Sequence, residues 1–214
     1  MFETISKKRT EKILKEYDSW IHSLSAKYHI PAAFIQAILY MEMTRINLVD
    51  YAADFAVWTG VFPKKDSSTG YAQIFGFVGL NAVNFAADRG LTSYAALHIP
   101  SDHRLNRHDP KDVRLMWKYL HHDRKANLEV AVLNMLSAAE EMTGRIDFDS
   151  YTEDELKHIF TRYNANTDRI TEYGETAYKH YLRFMSQKRI KKSFFYACTV
   201  SSANFFSNFF LQIR

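Results

Sequence analysis

Apolar residues return every three to four positions in segment after segment of this chain, and that period constrains the fold more than any other feature. With only 7 Gly and 4 Pro in 214 residues, there are few points at which a helix must stop. Residues 4–28 place Ile13, Leu14, Tyr17, Ile21, Leu24 and Tyr28 on one face, with lysines and glutamates opposite. In "PAAFIQAILYMEMTR", residues 31–45, Pro31 suits a first helical position and Phe34, Ile35, Ile38 and Leu39 carry the stripe. "DPKDVRLMWKYL" opens with Asp109 as N-cap and Pro110 behind it, and stripes Val113, Met116, Trp117 and Leu120. "NLEVAVLNMLSAAEEMTG" is apolar on most sides, runs from Asn127 to a stop at Gly144, and belongs at the centre of the domain. "YTEDELKHIFTRYNA" begins with a capping box, Thr152 to Glu155, and "TEYGETAYKHYLRFM" supplies a last amphipathic helix.

The rhythm breaks in two places. Residues 47–78 are aromatic and rich in turn residues, which predicts loop with a small hairpin; a short helix follows, "LNAVNFAADRG", ending at Gly90. Residues 98–110, "HIPSDHRLNRHDP", read as a surface loop. The chain is therefore expected to form one mainly α-helical domain over residues 1–187. Residues 188–214 pass from a basic cluster to a Phe/Ser/Asn-rich stretch without period, and are expected to lie outside the core.

A single cysteine, Cys198, rules out a framework of internal disulfides, so the fold rests on its core. The net charge of +4 favours an anionic partner without naming it. The basic residues are scattered among acids instead of forming one stripe, which argues against nucleic acid. The first twenty residues lack the apolar core of an ordinary secretory signal, and no run is long enough to span a membrane. Export by a dedicated route or by lysis, or an action inside the cell, is what that pattern implies.

Candidate chemistry narrows by elimination. His103, His108, His121 and His122 cluster in sequence, but neither member of the adjacent pair has an i+4 partner for a helical zinc site. Glu155-x-x-His158 has the spacing of a di-iron ligand pair, and no second such pair exists. No metal or cofactor is expected. There is no nucleophile elbow and no phosphate-binding glycine loop. Carboxylates remain. Glu42 lies seven residues after Ile35, four after Ile38 and three after Leu39, in line with the buried stripe. Apolar neighbours would disfavour its charged form and keep a proton on it, as a general acid for glycosidic cleavage requires. Alternatively Glu42 ends a helix and pairs with Arg45 at i+3. Spacing leaves both readings open. Asp50, Asp54 and Asp66 follow, the last opening "DSSTGYAQI".

The order of "IPAAFIQAILYME", "SSTGYAQIF", "NLEVAVLNML" and "RYNANTDRITEYGETAYKHYLRF" resembles the lysozyme superfamily, more narrowly goose-type lysozymes and soluble lytic transglycosylases. The resemblance covers roughly residues 28–185. It implies a lysozyme-like helical domain with a small hairpin region beside a cleft. It further implies cleavage of the β-1,4 bond between N-acetylmuramic acid and N-acetylglucosamine in peptidoglycan. Glu42 matches the catalytic glutamate; Gly70, Tyr71, Ala72 and Gln73 match the G-x-x-Q turn; Tyr163 and Asn164 match the Tyr-Asn pair. By that analogy Asp66 is the water-activating base with Asp54 in support, and Tyr71, Gln73, Tyr163 and Asn164 line sugar subsites of a monomer. The chain departs from the pattern in Met43 after the glutamate, in "SSTG" before the glutamine, in Ala165-Asn166 after the Tyr-Asn pair, and in a longer segment 91–124. Those departures keep a lytic transglycosylase, which gives anhydro products, and a non-catalytic glycan- or partner-binding module open as alternatives.

Overall fold

The computed structural model describes residues 6–60 and 66–187. The segment 188–214, expected to lie outside the core, falls outside the described residues. The fold is mainly helical with one two-stranded antiparallel hairpin. In chain order its elements are α1 (Lys7–Glu16), α2 (Asp18–Tyr28), α3 (Ala32–Arg45), α4 (Leu48–Thr59), β1 (Ser68–Thr69), β2 (Ile74–Phe75), α5 (Gly76–Asp88), α6 (Pro110–His122), α7 (Arg124–Thr143) and α8 (Glu153–Asn164). A further helix, α9, covers residues 172–187.

The apolar stripe of residues 4–28 is shared by two helices, α1 and α2, and not by one. Tyr17 separates them with φ −95° and ψ 4°. The i to i−4 bonds run through the junction all the same, Tyr17 N to Ile13 O at 3.0 Å and Ile21 N to Tyr17 O at 2.9 Å. The register of apolar positions therefore survives the break, and periodicity carries no trace of it.

Residues 47–78 also differ from the expected loop. Most of the first half is α4, started by a capping box in which Asn47 Oδ1 accepts from Val49 N (2.7 Å) and Asp50 Oδ2 accepts from Asn47 N (2.8 Å). Its buried positions are Ala56 and Val57, while Leu48, Tyr51, Phe55 and Trp58 are exposed. Apolar residues on both faces blur the amphipathic signal. The expected hairpin is present, pairing Ser68 with Phe75 and Thr69 with Ile74.

The helix expected near residues 80–90 begins earlier, at Gly76, because a carboxylate ten residues upstream caps it. Asp66 Oδ1 accepts from Gly76 N (2.7 Å) and Oδ2 from Phe77 N (3.0 Å). Two of the four orphan donors of that helix end are thereby satisfied.

The core surrounds α7, whose Leu128, Val130, Ala131, Val132, Leu133, Met135 and Leu136 are buried. Against it pack α5, α6 and α8. Of α3, every residue from Ala32 to Met43 except Gln36 is buried, with Phe34 stacked on Phe160 at 4.0 Å. Such a helix is a pillar inside the domain. Whatever polar group it carries is taken out of water with it.

Candidate active site

Glu42 sits in the last turn of that pillar, and its side chain opens onto a cleft of about 570 Å³. It is only 7% exposed. Among the described residues one hydrogen bond reaches it: Tyr173 Oη donates to Oε1 at 2.5 Å, from a residue 131 positions later in the chain. Burial pushes the Glu42 carboxyl up to about 7; the Tyr173 hydroxyl and the nearby Arg45 cation pull it down, and Asp50 adds a smaller upward push. The alternative Glu42–Arg45 surface pair does not form. The Arg45 guanidinium lies over the Tyr173 ring, 4.8 Å from its centre.

Tyr173 reaches Glu42 because α9 lies unusually close to α8. A Cβ at Gly174 would stand 2.2 Å from Thr161 Oγ1 and 2.6 Å from the Lys157 carbonyl oxygen, so only glycine fits there. Burial raises the Tyr173 phenol well above its ordinary range, as does the Glu42 carboxyl beside it. It therefore stays a donor at any pH at which the protein would work.

The opposite wall is built by the hairpin turn, which is clamped from beneath. Asn127, wholly buried at the start of α7, accepts from Ala72 N (3.0 Å) and donates to the Thr69 carbonyl (3.0 Å). Tyr163 Oη donates to the Ala72 carbonyl at 2.8 Å. Gly70, with φ +72°, has no room for a Cβ, which would lie 2.4 Å from Asn127 Nδ2. Gln73, with φ +47°, donates to the Gly70 carbonyl (2.7 Å) and accepts from Ser68 Oγ (3.1 Å). The side-chain amide and the turn thus hold each other in place.

Of the residues singled out by sequence, the structure gathers Glu42, Gln73, Tyr163 and Asn164 around one cleft. It does not bring Tyr71 there. That ring packs edge-on against Tyr17 (5.8 Å) with the Arg124 guanidinium 5.0 Å from its centre. Nor do Asp66 and Asp54 line the cleft. Asp66 caps α5. Asp54 accepts from Ser67 Oγ (2.7 Å) and Thr69 Oγ1 (3.0 Å), while Trp117 Nε1 donates to Ser67 Oγ (2.9 Å) and His121 Nδ1 lies 2.9 Å from Thr69 Oγ1. Burial raises the Asp54 carboxyl, and its two hydroxyl partners and His121 oppose that. The effect of this network is to bind the hairpin to α4 and α6.

The other carboxylates lining the cleft are Asp50 and Glu141. Asp50 belongs to the capping box of α4, and Glu141 is paired with Arg162, whose Nε donates to it at 2.9 Å. Sequence reasoning passed over Tyr173, although the Tyr-Gly step at 173–174 was a signal of close helix packing. Among the described residues no group of three or more His, Cys, Asp or Glu could hold a metal ion, and no helix is long and apolar enough to cross a membrane. Comparison with family models, curated proteins and solved structures gave no match to the chain.

Proposed function

We propose that the protein cleaves the β-1,4 bond between N-acetylmuramic acid and N-acetylglucosamine in peptidoglycan, with Glu42 as general acid. One observation carries the reading. A carboxyl group that burial raises to about 7 stands at the wall of an open cleft, held by a single phenolic donor. At neutral pH a large fraction of it is protonated, which is the state a leaving glycosidic oxygen needs. The lysozyme-like order of motifs in the sequence supports the same chemistry. Asn134 and Asn164 line the cleft, and their amides suit N-acetyl groups.

The placement of Asp54 and Asp66 favours the transglycosylase outcome over hydrolysis. Inverting hydrolysis needs a second carboxylate free to activate water, and both candidates are occupied with hydroxyl or backbone donors outside the cleft. In the reaction favoured here, Glu42 gives its proton to the bridging oxygen as the C1–O bond breaks. The muramic acid 6-hydroxyl then attacks C1 and returns its proton to the Glu42 carboxylate. The product carries a 1,6-anhydro ring and no water is consumed. Incubation with purified peptidoglycan, followed by mass analysis of the released muropeptides, tests both levels. Anhydro ends are expected. Reducing ends would make the protein a hydrolase, and no release at all would defeat the glycosidase reading in favour of a non-catalytic glycan- or partner-binding module.

A further inference from the structure

We propose that Arg107, seated on the aromatic rim of the cleft, reads a carboxylate on the peptide stems of the glycan strand. This rests on the peptidoglycan reading above and adds what the cleft selects for within it. Among the described residues three arginines line the cleft: Arg45, Arg107 and Arg162. Arg162 is neutralised by Glu141. Arg45 lies over Tyr173 beside the acid. Arg107 lies 5.8 Å from the centre of the Phe77 ring, and among the described residues no carboxylate stands within ion-pair distance of it.

The loop that carries Arg107 is pinned on both sides of it. Leu105 N donates to Tyr94 Oη (3.2 Å) and Asn84 Nδ2 donates to the Leu105 carbonyl (3.0 Å). Asn106 N donates to Asp112 Oδ2 (2.7 Å), and His108 N donates to Asn106 Oδ1 (3.0 Å). The backbone is therefore ordered before any ligand arrives, which removes part of the entropic cost of binding. This is the segment whose extra length sets the sequence apart from the lysozyme-like pattern.

Phe75 and Phe77 complete the rim, 39% and 37% exposed with ring centres 5.8 Å apart. An apolar ring face beside a pyranose, with a guanidinium beyond it, suits a sugar that bears an acidic substituent. The guanidinium is planar, weakly hydrated and shaped to take a carboxylate with two parallel bonds. A neutral aminosugar polymer would leave that fork unused. A strand with acidic peptide stems would fill it.

The test uses soluble, uncrosslinked peptidoglycan strands and the same strands with their carboxylates converted to methylamides. Binding is measured calorimetrically with Glu42→Gln protein, so that strands stay intact, with and without Arg107→Gln. Loss of stem charge should weaken binding to the Arg107 form about tenfold, the scale of one charge-assisted contact at a wet rim. Arg107→Gln should bind acidic strands about tenfold more weakly and lose nothing further on methylamidation, and Arg107→Lys should recover part of the loss. Equal affinity of the Gln variant for acidic strands, or an unchanged preference for them, would overturn the proposal. Cleavage by the wild-type protein is scored in parallel. If charge preference depends on Arg107 but no bond is cut, the glycosidase reading fails and the Arg107 assignment stands; absence of binding to either strand defeats both.

Discussion

On the α3 side of the cleft one carboxyl group, Glu42, is walled by apolar neighbours and receives a single phenolic hydrogen bond. Around the hairpin, Asp54 accepts from two side-chain hydroxyls and Asp66 accepts from helix-end N–H groups. Of the three, Glu42 lines the cleft and the two aspartates do not. What separates them is where their oxygens point and what they hold. A carboxylate engaged by donors away from the cleft ties elements together; one buried at the cleft wall, raised to about 7, can hold a proton where a ligand would meet it.

Glu42→Gln breaks the comparison most severely. Cleavage should fall by roughly 10²–10⁴-fold, the usual contribution of a positioned acid. The same substitution reveals the cost of the wild-type residue. The carboxyl loses its proton near pH 4.5 when unfolded and near 7 when folded, so between those values the folded state holds the proton more tightly. Stability is then fully present below about 4.5 and declines as pH rises through about 7. The decline should be on the order of 3 kcal/mol and absent from the Gln variant in urea titrations run across that pH range. Wild-type activity should fall over the upper part of the same window, as the acid ionises.

Asn127→Leu attacks the hairpin wall instead. It leaves the Ala72 N–H and the Thr69 carbonyl without their buried partner, at about 1–3 kcal/mol each. A large drop in urea midpoint is expected, with cleavage reduced but its pH midpoint unmoved. If that midpoint moved, the two walls would be coupled more closely than their hydrogen bonds imply.

Tyr173→Phe sharpens the comparison from the other side. Removing the phenolic donor, which lowers the Glu42 value, should shift the falling limb of the pH–rate profile to higher pH. The maximal rate should change by less than about tenfold, the scale of one neutral hydrogen bond. A shift to lower pH would show that Tyr173 supports the protonated form instead.

The smallest effect is expected for Asp66→Asn. It weakens the cap of α5, at about 1 kcal/mol in thermal unfolding, and should leave the rate and the anhydro product unchanged. A strong loss of a reducing-end product would restore Asp66 to the role of base.

Much of the fold was legible where capping chemistry and period coincide. Asp109 with Pro110 starts α6, the Thr152–Glu155 box starts α8, and Gly144, at φ +71°, stops α7. Glu42 could be picked out because a carboxylate interrupts an otherwise apolar helix. Other features left no local mark. The break at Tyr17 preserves the apolar register on either side. α4 is apolar on its outer as well as its inner face, so its period hides. Asp66 looked available because the N–H groups it caps are ten and eleven residues downstream, and Tyr173 finds Glu42 only through tertiary packing. Spacing within a helix reports which residues share a face; it does not report which distant group will satisfy them.

The contact between Glu42 and Tyr173 also sets an order of events during synthesis. Glu42 emerges from the ribosome with α3, and Tyr173 follows only when 131 more residues have been added. Until α9 docks, through the glycine-only contact at Gly174, the carboxyl lacks its phenolic donor. The acid is therefore oriented by that hydrogen bond only once α9 is in place. On the proposed reading, a nascent or prematurely ended chain carries its acid without the contact that orients it. The late arrival of one phenol makes the orientation of this carboxyl a late event in the chain's synthesis.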